Sequence, residues 1–199
     1  MLLAPFYDPE KSYEENFKEG PFGVFANGEV LKSKSGGGGG EGGGNASALK
    51  PKFDFFGFKV NSPFGIPAGP LINGNFVKAA LDKGFDICVY KTVRSGKYPC
   101  HSWPNILSVK VDGDLTLEKA SGKLVANGNY REPLSITNSF GVPSFEPEFW
   151  QKDLAKMVKN TRAGQIVVGS FQGTKKATRP SDGQGQGVDD FINDFCITA

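Results

Sequence analysis

The sequence predicts an α/β fold in which strands and helices alternate and the strands form a parallel sheet. Two observations favour it. Short apolar runs of strand length alternate with segments of helical periodicity, and the alternation occurs three times. Glycine, proline and asparagine bound most of these segments, as expected of short connections. The pattern fits both an open doubly wound sheet and a (β/α)8 barrel, and it does not choose between them.

The first unit has a short apolar strand at 64–68 and a helix at 75–83, whose apolar residues recur at helical spacing. Gly84 ends this helix, since glycine tolerates the backbone conformation found beyond a helix terminus. The second strand, 85–90, is mostly apolar and leads directly into Lys91.

An excursion follows the second strand. Apolar and polar residues alternate over 107–111 and again over 115–117, with Asp112-Gly113 between them. This pattern predicts a β-hairpin insertion.

The alternation then resumes with a helix that starts at Pro147 and runs to about residue 160, followed by a strand at 165–169. A weak last helix is predicted near Val188. The apolar side of the 147–160 helix consists of Trp150, Leu154, Met157 and Val158.

Residues 1–51 are predicted to form an N-terminal extension, and 52–199 the barrel part. Asp8-Pro9 is a favourable helix start, so a short helix is expected from there to Gly20. The segment 36–44 is almost entirely glycine and predicts a flexible linker, because a phosphate-binding loop needs a strand before it and a helix after it.

The composition argues against several classes of protein. The net charge is +2, from 23 basic and 21 acidic residues spread along the chain, so no nucleic-acid surface is expected. No apolar run reaches the length of a membrane helix, and 1–6 is too short for a signal peptide, so a cytoplasmic chain is expected.

The three cysteines, Cys88, Cys100 and Cys196, are widely spaced, which predicts neither a disulfide framework nor a zinc site. His101 is the single histidine, and no partner in the sequence supports a catalytic or metal-binding role for it.

Ligands of parallel α/β folds bind at the carboxyl ends of the strands, where three features of this chain fall. Ala68 and Gly69 would let a flat ligand approach the backbone, although close packing alone explains small residues equally. Lys91, if not merely a surface lysine, needs an anion or a ligand carbonyl. Asn138 offers both donor and acceptor, as a pyrimidine edge requires, but asparagine also favours ordinary turns.

Three motifs carry a resemblance to a known family: SPFGIPAG at 62–69, VYKTV at 89–93 and ITNSFGVPS at 136–144. In this order they resemble the dihydroorotate dehydrogenase family, including its dihydroorotate-oxidase-like branch, over roughly residues 52–174. The resemblance implies an FMN-binding (β/α)8 TIM barrel that oxidises (S)-dihydroorotate to orotate in pyrimidine biosynthesis, with hydride passing to flavin N5.

The resemblance also implies roles for individual residues. The backbone of Ala68 and Gly69 would lie along the flavin ring. Lys91 would sit beside the flavin N1/C2 carbonyl edge and the substrate, and Thr92 would hydrogen-bond the flavin. Ser170 and Gln172 are further candidates near the flavin. Substrate binding would fall to Lys91, Asn138 and the backbone of Phe140, Gly141 and Val142.

The chain departs from the family pattern in one important respect. The Asn-x-Ser-Cys-Pro-Asn-like loop that carries the catalytic base is absent, and Cys196 has neither its flanks nor its proline. A barrel takes about 250 residues, whereas 137 follow Ser62 (199 − 62). The chain is therefore expected to supply the first three βα units, with the base beyond Ala199.

Three hypotheses remain open: an incomplete FMN-dependent dihydroorotate dehydrogenase, a non-catalytic homologue acting as a partner or remnant, and an FMN barrel enzyme for another dihydropyrimidine. A homodimer or an association with a complete homologue would accompany them. Unpaired strand edges favour aggregation, so the chain alone is expected to be poorly soluble or molten.

Overall fold

The computed structural model describes residues 6–27, 53–130 and 135–174, together with Asp194 and Cys196. The helices are α1 (Tyr13–Glu19), α2 (Gly74–Asp82), α3 (Leu117–Ser121) and α4 (Pro147–Lys159), and a single 3-10 turn covers Gly23–Phe25. The strands are β1 (Phe53–Phe55), β2 (Phe58–Val60), β3 (Gly65–Ile66), β4 (Ile87–Val89), β5 (Ile106–Val109), β6 (Ala126–Asn127), β7 (Ile136–Asn138) and β8 (Ile166–Val168). The predicted mixed α/β class is confirmed.

The central sheet is parallel and has the order β3-β4-β8. A further parallel bridge between Val93 and Phe171 carries the pairing past the ends of β4 and β8. Helices α2 and α4 pack against each other and against the sheet. Within the described residues this sheet does not close into a barrel.

Helix α2 forms where the sequence predicts it. The side chain of Asn73 caps its start by accepting the backbone N–H groups of Asn75 and Phe76 at 2.9 and 3.3 Å. Gly84 follows the end with a φ of 96°, a conformation that glycine adopts without steric penalty. The apolar face of the helix, which is fully buried, consists of Phe76, Val77, Ala80 and Leu81.

Helix α4 also forms where the sequence predicts it, but one residue of its predicted apolar side is not buried. Trp150 and Met157 are buried and Leu154 packs against the core, whereas Val158 is 50% exposed. The side of α4 that meets α2 is centred on Asp153 and Met157. Val158 lies about 100° around the helix from Met157 and therefore leaves this contact.

Helix α1 begins later than predicted, at Tyr13 rather than at Asp8-Pro9. Its cap is Ser12, whose hydroxyl accepts the Glu15 N–H, while the Glu15 carboxylate accepts the Ser12 N–H at 2.8 Å. This reciprocal pair satisfies two terminal donors at once, which Asp8 does not do. The predicted end at Gly20 is confirmed.

The predicted hairpin insertion is wrong in its pairing. Strand β5 pairs antiparallel with β6 and β7, so the second sheet has the order β6-β5-β7. The segment expected to be the second hairpin strand instead starts α3, capped by Thr116, and Leu117 is 91% exposed there. Three residues of apolar alternation were too few to outweigh a helix cap.

The described part of the N-terminal segment packs into the core of the rest of the chain. Tyr13 is 3% exposed, and Phe6, Tyr7, Phe17 and Phe25 are packed against the same cluster. The predicted boundary at residue 51, the glycine segment 36–44 and the helix expected near Val188 lie outside the described residues. No helix among those described is both long and apolar enough to cross a membrane.

A half-buried carboxylate joins the two outer helices to the sheet. Asp153 of α4 accepts the N–H of Gly74, the first residue of α2, at 2.7 Å. It also accepts the hydroxyl of Tyr90, just after β4, at 2.8 Å. One side chain thus holds three elements together.

We expect Asp153→Ala to lower the free energy of unfolding by about 2 kcal/mol or more, because two buried donors lose a charged acceptor. The matched control is Lys152→Ala, at the neighbouring exposed position, for which a change of less than about 0.5 kcal/mol is expected. Urea titration followed by circular dichroism measures both. Equal losses in the two variants would show that Asp153 does not hold the elements together.

Candidate functional site

Lys91 lies at the carboxyl end of β4 and is buried, with 6% of its surface exposed. Its backbone N–H donates to the Leu71 carbonyl at 2.9 Å, which ties the end of β4 to the loop that follows β3. Among the described residues no carboxylate lies within ion-pair distance of its ammonium group, and none of their hydrogen bonds involves that group. The lysine is therefore a buried cation without a counter-charge there.

This environment changes the proton affinity of Lys91. Burial lowers its pKa to about 8, and the nearby positive charge of Arg94 acts in the same direction. The thiol of Cys100 opposes the shift. Burial in turn raises the pKa of Cys100, so this thiol does not supply a ready counter-anion.

The structure brings together Thr92 and Ser170, two of the residues predicted to lie near a flavin. Their hydroxyl oxygens are 2.8 Å apart across the ends of β4 and β8. Gln172 lies two residues beyond Ser170, and its backbone N–H donates to the Val93 carbonyl at 3.0 Å. Both residues are half-buried, and Thr92 directly follows Lys91 in the chain.

Ala68 and Gly69 lie in the turn after β3. Gly69 is exposed, and a methyl group built on it would meet nothing within 4 Å, so the space above its backbone is open. Tyr7 holds the same turn, with its hydroxyl donating to the Pro70 carbonyl at 2.5 Å and more weakly to that of Gly69 at 3.3 Å.

The segment predicted to bind substrate is partly engaged with the protein itself. Asn138, the exposed last residue of β7, uses its side-chain oxygen to accept the Phe140 N–H at 3.2 Å. This hydrogen bond forms an ordinary asparagine turn, which was the alternative interpretation of Asn138. One of the two lone pairs of the carboxamide oxygen is thus engaged within the protein in this conformation.

Phe140, Gly141 and Val142 are held by contacts with other segments of the chain. Phe140 is 3% exposed, and its carbonyl accepts the His101 N–H at 3.2 Å. Gly141 has a φ of 71°, and a methyl group there would lie 2.8 Å from the His101 ring. The carbonyl of Val142 accepts a hydrogen bond from the Nε–H group of Arg94 at 3.0 Å.

Two tyrosines of the N-terminal segment connect these parts. The Phe140 ring packs edge-on against Tyr7 at 5.4 Å and against Tyr13 at 5.3 Å between ring centroids. Tyr13 also lines a narrow crevice beside Lys91. Burial raises the pKa of both phenols well above its usual value, so both remain neutral donors. Contacts therefore run from the turn after β3, through Tyr7, Phe140 and Tyr13, to the crevice beside Lys91.

Sequence reasoning missed Tyr7, Tyr13 and Arg94. The reciprocal cap formed by Ser12 and Glu15 was a readable signal that a helix begins at Tyr13. No local pattern, in contrast, indicates that Tyr7 reaches a carbonyl 63 positions away. Arg94 is three residues beyond Lys91, but its acceptors belong to segments far along the chain.

One curated relative resembles the chain along nearly its whole length. It is a protein of Dictyostelium discoideum named dihydroorotate dehydrogenase, 34% identical over an alignment of 203 positions. The alignment covers 99% of this chain and 49% of the relative, so the chain spans about half the length of the relative it matches. No protein-family model matches the chain.

The parallel sheet, its outer helices and the buried cation at a strand end define an α/β protein of the class that binds ligands beyond the carboxyl ends of its strands. The sequence comparison gives the family: the chain is a homologue of dihydroorotate dehydrogenase, so the resemblance predicted from its three motifs is confirmed. The similarity extends beyond residues 52–174, where the motifs had placed it, and includes nearly all of the N-terminal segment.

We expect Lys91→Met to stabilise the fold at neutral pH. The folded-state pKa of Lys91 is lower than that of an ordinary lysine, so folding disfavours the protonated amine and stability rises as the pH increases from about 8 toward 10.5. Methionine removes this penalty, which corresponds to roughly 2–4 kcal/mol at pH 7. The advantage of the variant should shrink across that pH window.

The control is Lys97→Met, at an exposed position of the same loop. It should leave the pH dependence of the unfolding free energy unchanged. Chemical denaturation between pH 6 and about 10 measures all three proteins. A Lys91→Met protein that is less stable than wild type at pH 7 would contradict the burial of an unpaired cation.

Proposed function

We propose that this chain provides the flavin-binding and pyrimidine-binding part of a dihydroorotate dehydrogenase, as the first units of a (β/α)8 barrel. FMN is the proposed cofactor and dihydroorotate the proposed substrate, in the cytoplasm. The observation that carries the proposal is the unpaired, buried Lys91 at the end of β4. Burying a cation of this kind is costly, and a partner of opposite charge or a carbonyl ligand would offset the cost.

The residues present fit the ring of a flavin. Lys91 supplies the positive charge, and the open space above Gly69 admits a flat ligand against the backbone. Thr92 and Ser170 supply hydroxyl donors at the ends of the two neighbouring strands. The phosphate of FMN has no assigned holder among the described residues.

Bound FMN would accept a hydride from dihydroorotate. The residues of this chain would prepare that transfer. Lys91 would stabilise negative charge on the ring and on the substrate, since a preorganised cation in a site shielded from water is effective for developing charge. The backbone of Ala68 and Gly69 would set the plane of the ring.

Substrate would be held from the opposite side. The amide N–H groups of Asn138 would donate to a pyrimidine carbonyl, with the backbone at Phe140, Gly141 and Val142 beside it. Gln172 would lie next to the ring. Oxidation of dihydroorotate also requires a base for the second hydrogen, and the proposal assigns that base to no described residue.

We expect the full chain to bind FMN with an affinity that falls as the pH rises through about 8, because Lys91 loses its charge there. Lys91→Met should weaken binding at least tenfold at pH 7, since a charge-assisted contact is lost. It should also remove the pH dependence. Quenching of flavin fluorescence measures the affinity.

Lys97→Met is again the control and should bind as wild type does. A chain that binds no flavin at any pH between 6 and 9 would end the proposal. The same would hold if Lys97→Met weakened binding as much as Lys91→Met.

A second candidate is a non-catalytic homologue that acts as a partner, either in a homodimer or with a complete homologue. The engaged oxygen of Asn138 favours it, because that atom is already used inside the protein. Anaerobic titration of the FMN-loaded chain with dihydroorotate and with orotate separates the two. A change in the visible flavin band, whether from a pyrimidine bound beside the ring or from reduction, indicates the substrate-binding part of the enzyme, and no change indicates the partner role. A response to another dihydropyrimidine alone would indicate the third hypothesis.

A further inference from the structure

Arg94 is a second buried cation, three residues beyond Lys91. It is 7% exposed, and no carboxylate among the described residues lies within ion-pair distance of it. Its guanidinium instead donates to neutral acceptors. Nε donates to the Val142 carbonyl at 3.0 Å, and Nη1 donates to the Gly173 carbonyl at 3.3 Å and to Oγ1 of Thr174 at 3.1 Å.

These acceptors belong to two different segments of the site. Val142 is part of the 138–144 segment, to which substrate binding is assigned. Gly173 and Thr174 follow β8 and come directly after Gln172 in the chain. A planar fork of five N–H donors can reach both segments at once, which a lysine ammonium does not reproduce.

The rest of Arg94 is fixed as firmly as its guanidinium. Its backbone N–H donates to Oγ of Ser144 at 3.1 Å, and its carbonyl accepts Nε1 of Trp150 at 3.3 Å. The guanidinium carbon lies 4.1 Å from the centroid of the Tyr98 ring. The side chain therefore has one well-defined position between the two segments.

We propose that Arg94 is a positioning residue of this site, which locks the 138–144 segment against the loop after β8 and keeps its own positive charge next to Lys91. The effect on ligand binding that this proposal predicts rests on the proposed function, because the two segments that Arg94 joins are those proposed to bind substrate and flavin. Arg94 itself is not assigned a contact with either.

The charge of Arg94 has an effect separate from its hydrogen bonds. Burial is the main cause of the lowered pKa of Lys91, and the charge of Arg94 lowers this pKa further. The other titratable groups near the Lys91 amine are Cys100, Tyr13 and Tyr90. A variant that keeps the charge but loses the fork should therefore differ from one that loses both. This difference separates positioning from a general contribution to stability.

The experiment compares Arg94→Lys and Arg94→Gln with Arg162→Gln, a control at an exposed arginine that pairs with Asp82 on the outer surface. Hydrogen exchange measures the amides of 138–144 and 169–174 in the full chain. NMR titration of 13C-labelled lysine measures Lys91. FMN affinity is measured as above.

In Arg94→Lys we expect the protection of both segments to fall about tenfold, from the loss of charged hydrogen bonds, while the Lys91 titration stays close to that of wild type. In Arg94→Gln protection should fall and the Lys91 titration should move upward. FMN affinity should fall about tenfold in both. Arg162→Gln should change none of these. Unchanged protection in Arg94→Lys would overturn the proposal, as would an equal loss throughout the sheet and helices.

The proposal can still be tested if Arg94→Gln misfolds or if the wild-type chain binds no FMN. If Arg94→Gln fails to fold, Thr174→Val removes one acceptor with little change in volume. It should lower protection in both segments without moving the Lys91 titration, and unchanged protection would overturn the proposal. If wild type binds no FMN, the proposed function fails, but the exchange and titration results still decide whether Arg94 positions the two segments.

Discussion

The constraint on which the site depends is the burial of an ammonium group at the end of a parallel strand. Lys91 is 6% exposed, and in the part of the chain that the structure describes no carboxylate lies within ion-pair distance of its ammonium group. Such an arrangement opposes folding, and proteins retain it where a ligand benefits. The open backbone at Gly69 follows β3, and the hydroxyl pair of Thr92 and Ser170 lies beyond the ends of β4 and β8. The proposed flavin site rests on these features together with Lys91.

The N-terminal segment is part of this arrangement. Tyr7 reaches the turn after β3 through its hydroxyl, and Tyr13 reaches the crevice beside Lys91. Between them stands the buried ring of Phe140, which belongs to the segment assigned to substrate. The three rings connect parts of the chain that are distant in sequence. The alignment with the Dictyostelium relative, which includes this segment, agrees with its integration into the core.

The sequence predicts those features that local chemistry decides. Helix α2 is capped by Asn73, α4 begins with a proline, and both helices show apolar periodicity, so their positions were predictable to within a residue or two. The start of α1 was predicted too early because Asp8-Pro9 was preferred to the capping pair of Ser12 and Glu15, which the sequence also contains. The partners of β5 were not predictable, because they depend on pairing between distant segments. At the site, Lys91 was predictable from its place after a buried strand. The role of Arg94 was not, because its acceptors are about 50 to 80 positions away.

The carboxylate that joins the outer helices to the sheet also fixes the chain next to the buried cation. Asp153 accepts the hydroxyl of Tyr90, and Lys91 is the next residue along the chain. Tyr90 and Lys91 both line the narrow crevice beside Tyr13. A substitution at Asp153 would therefore loosen the backbone that carries the cation as well as the contact between the two helices.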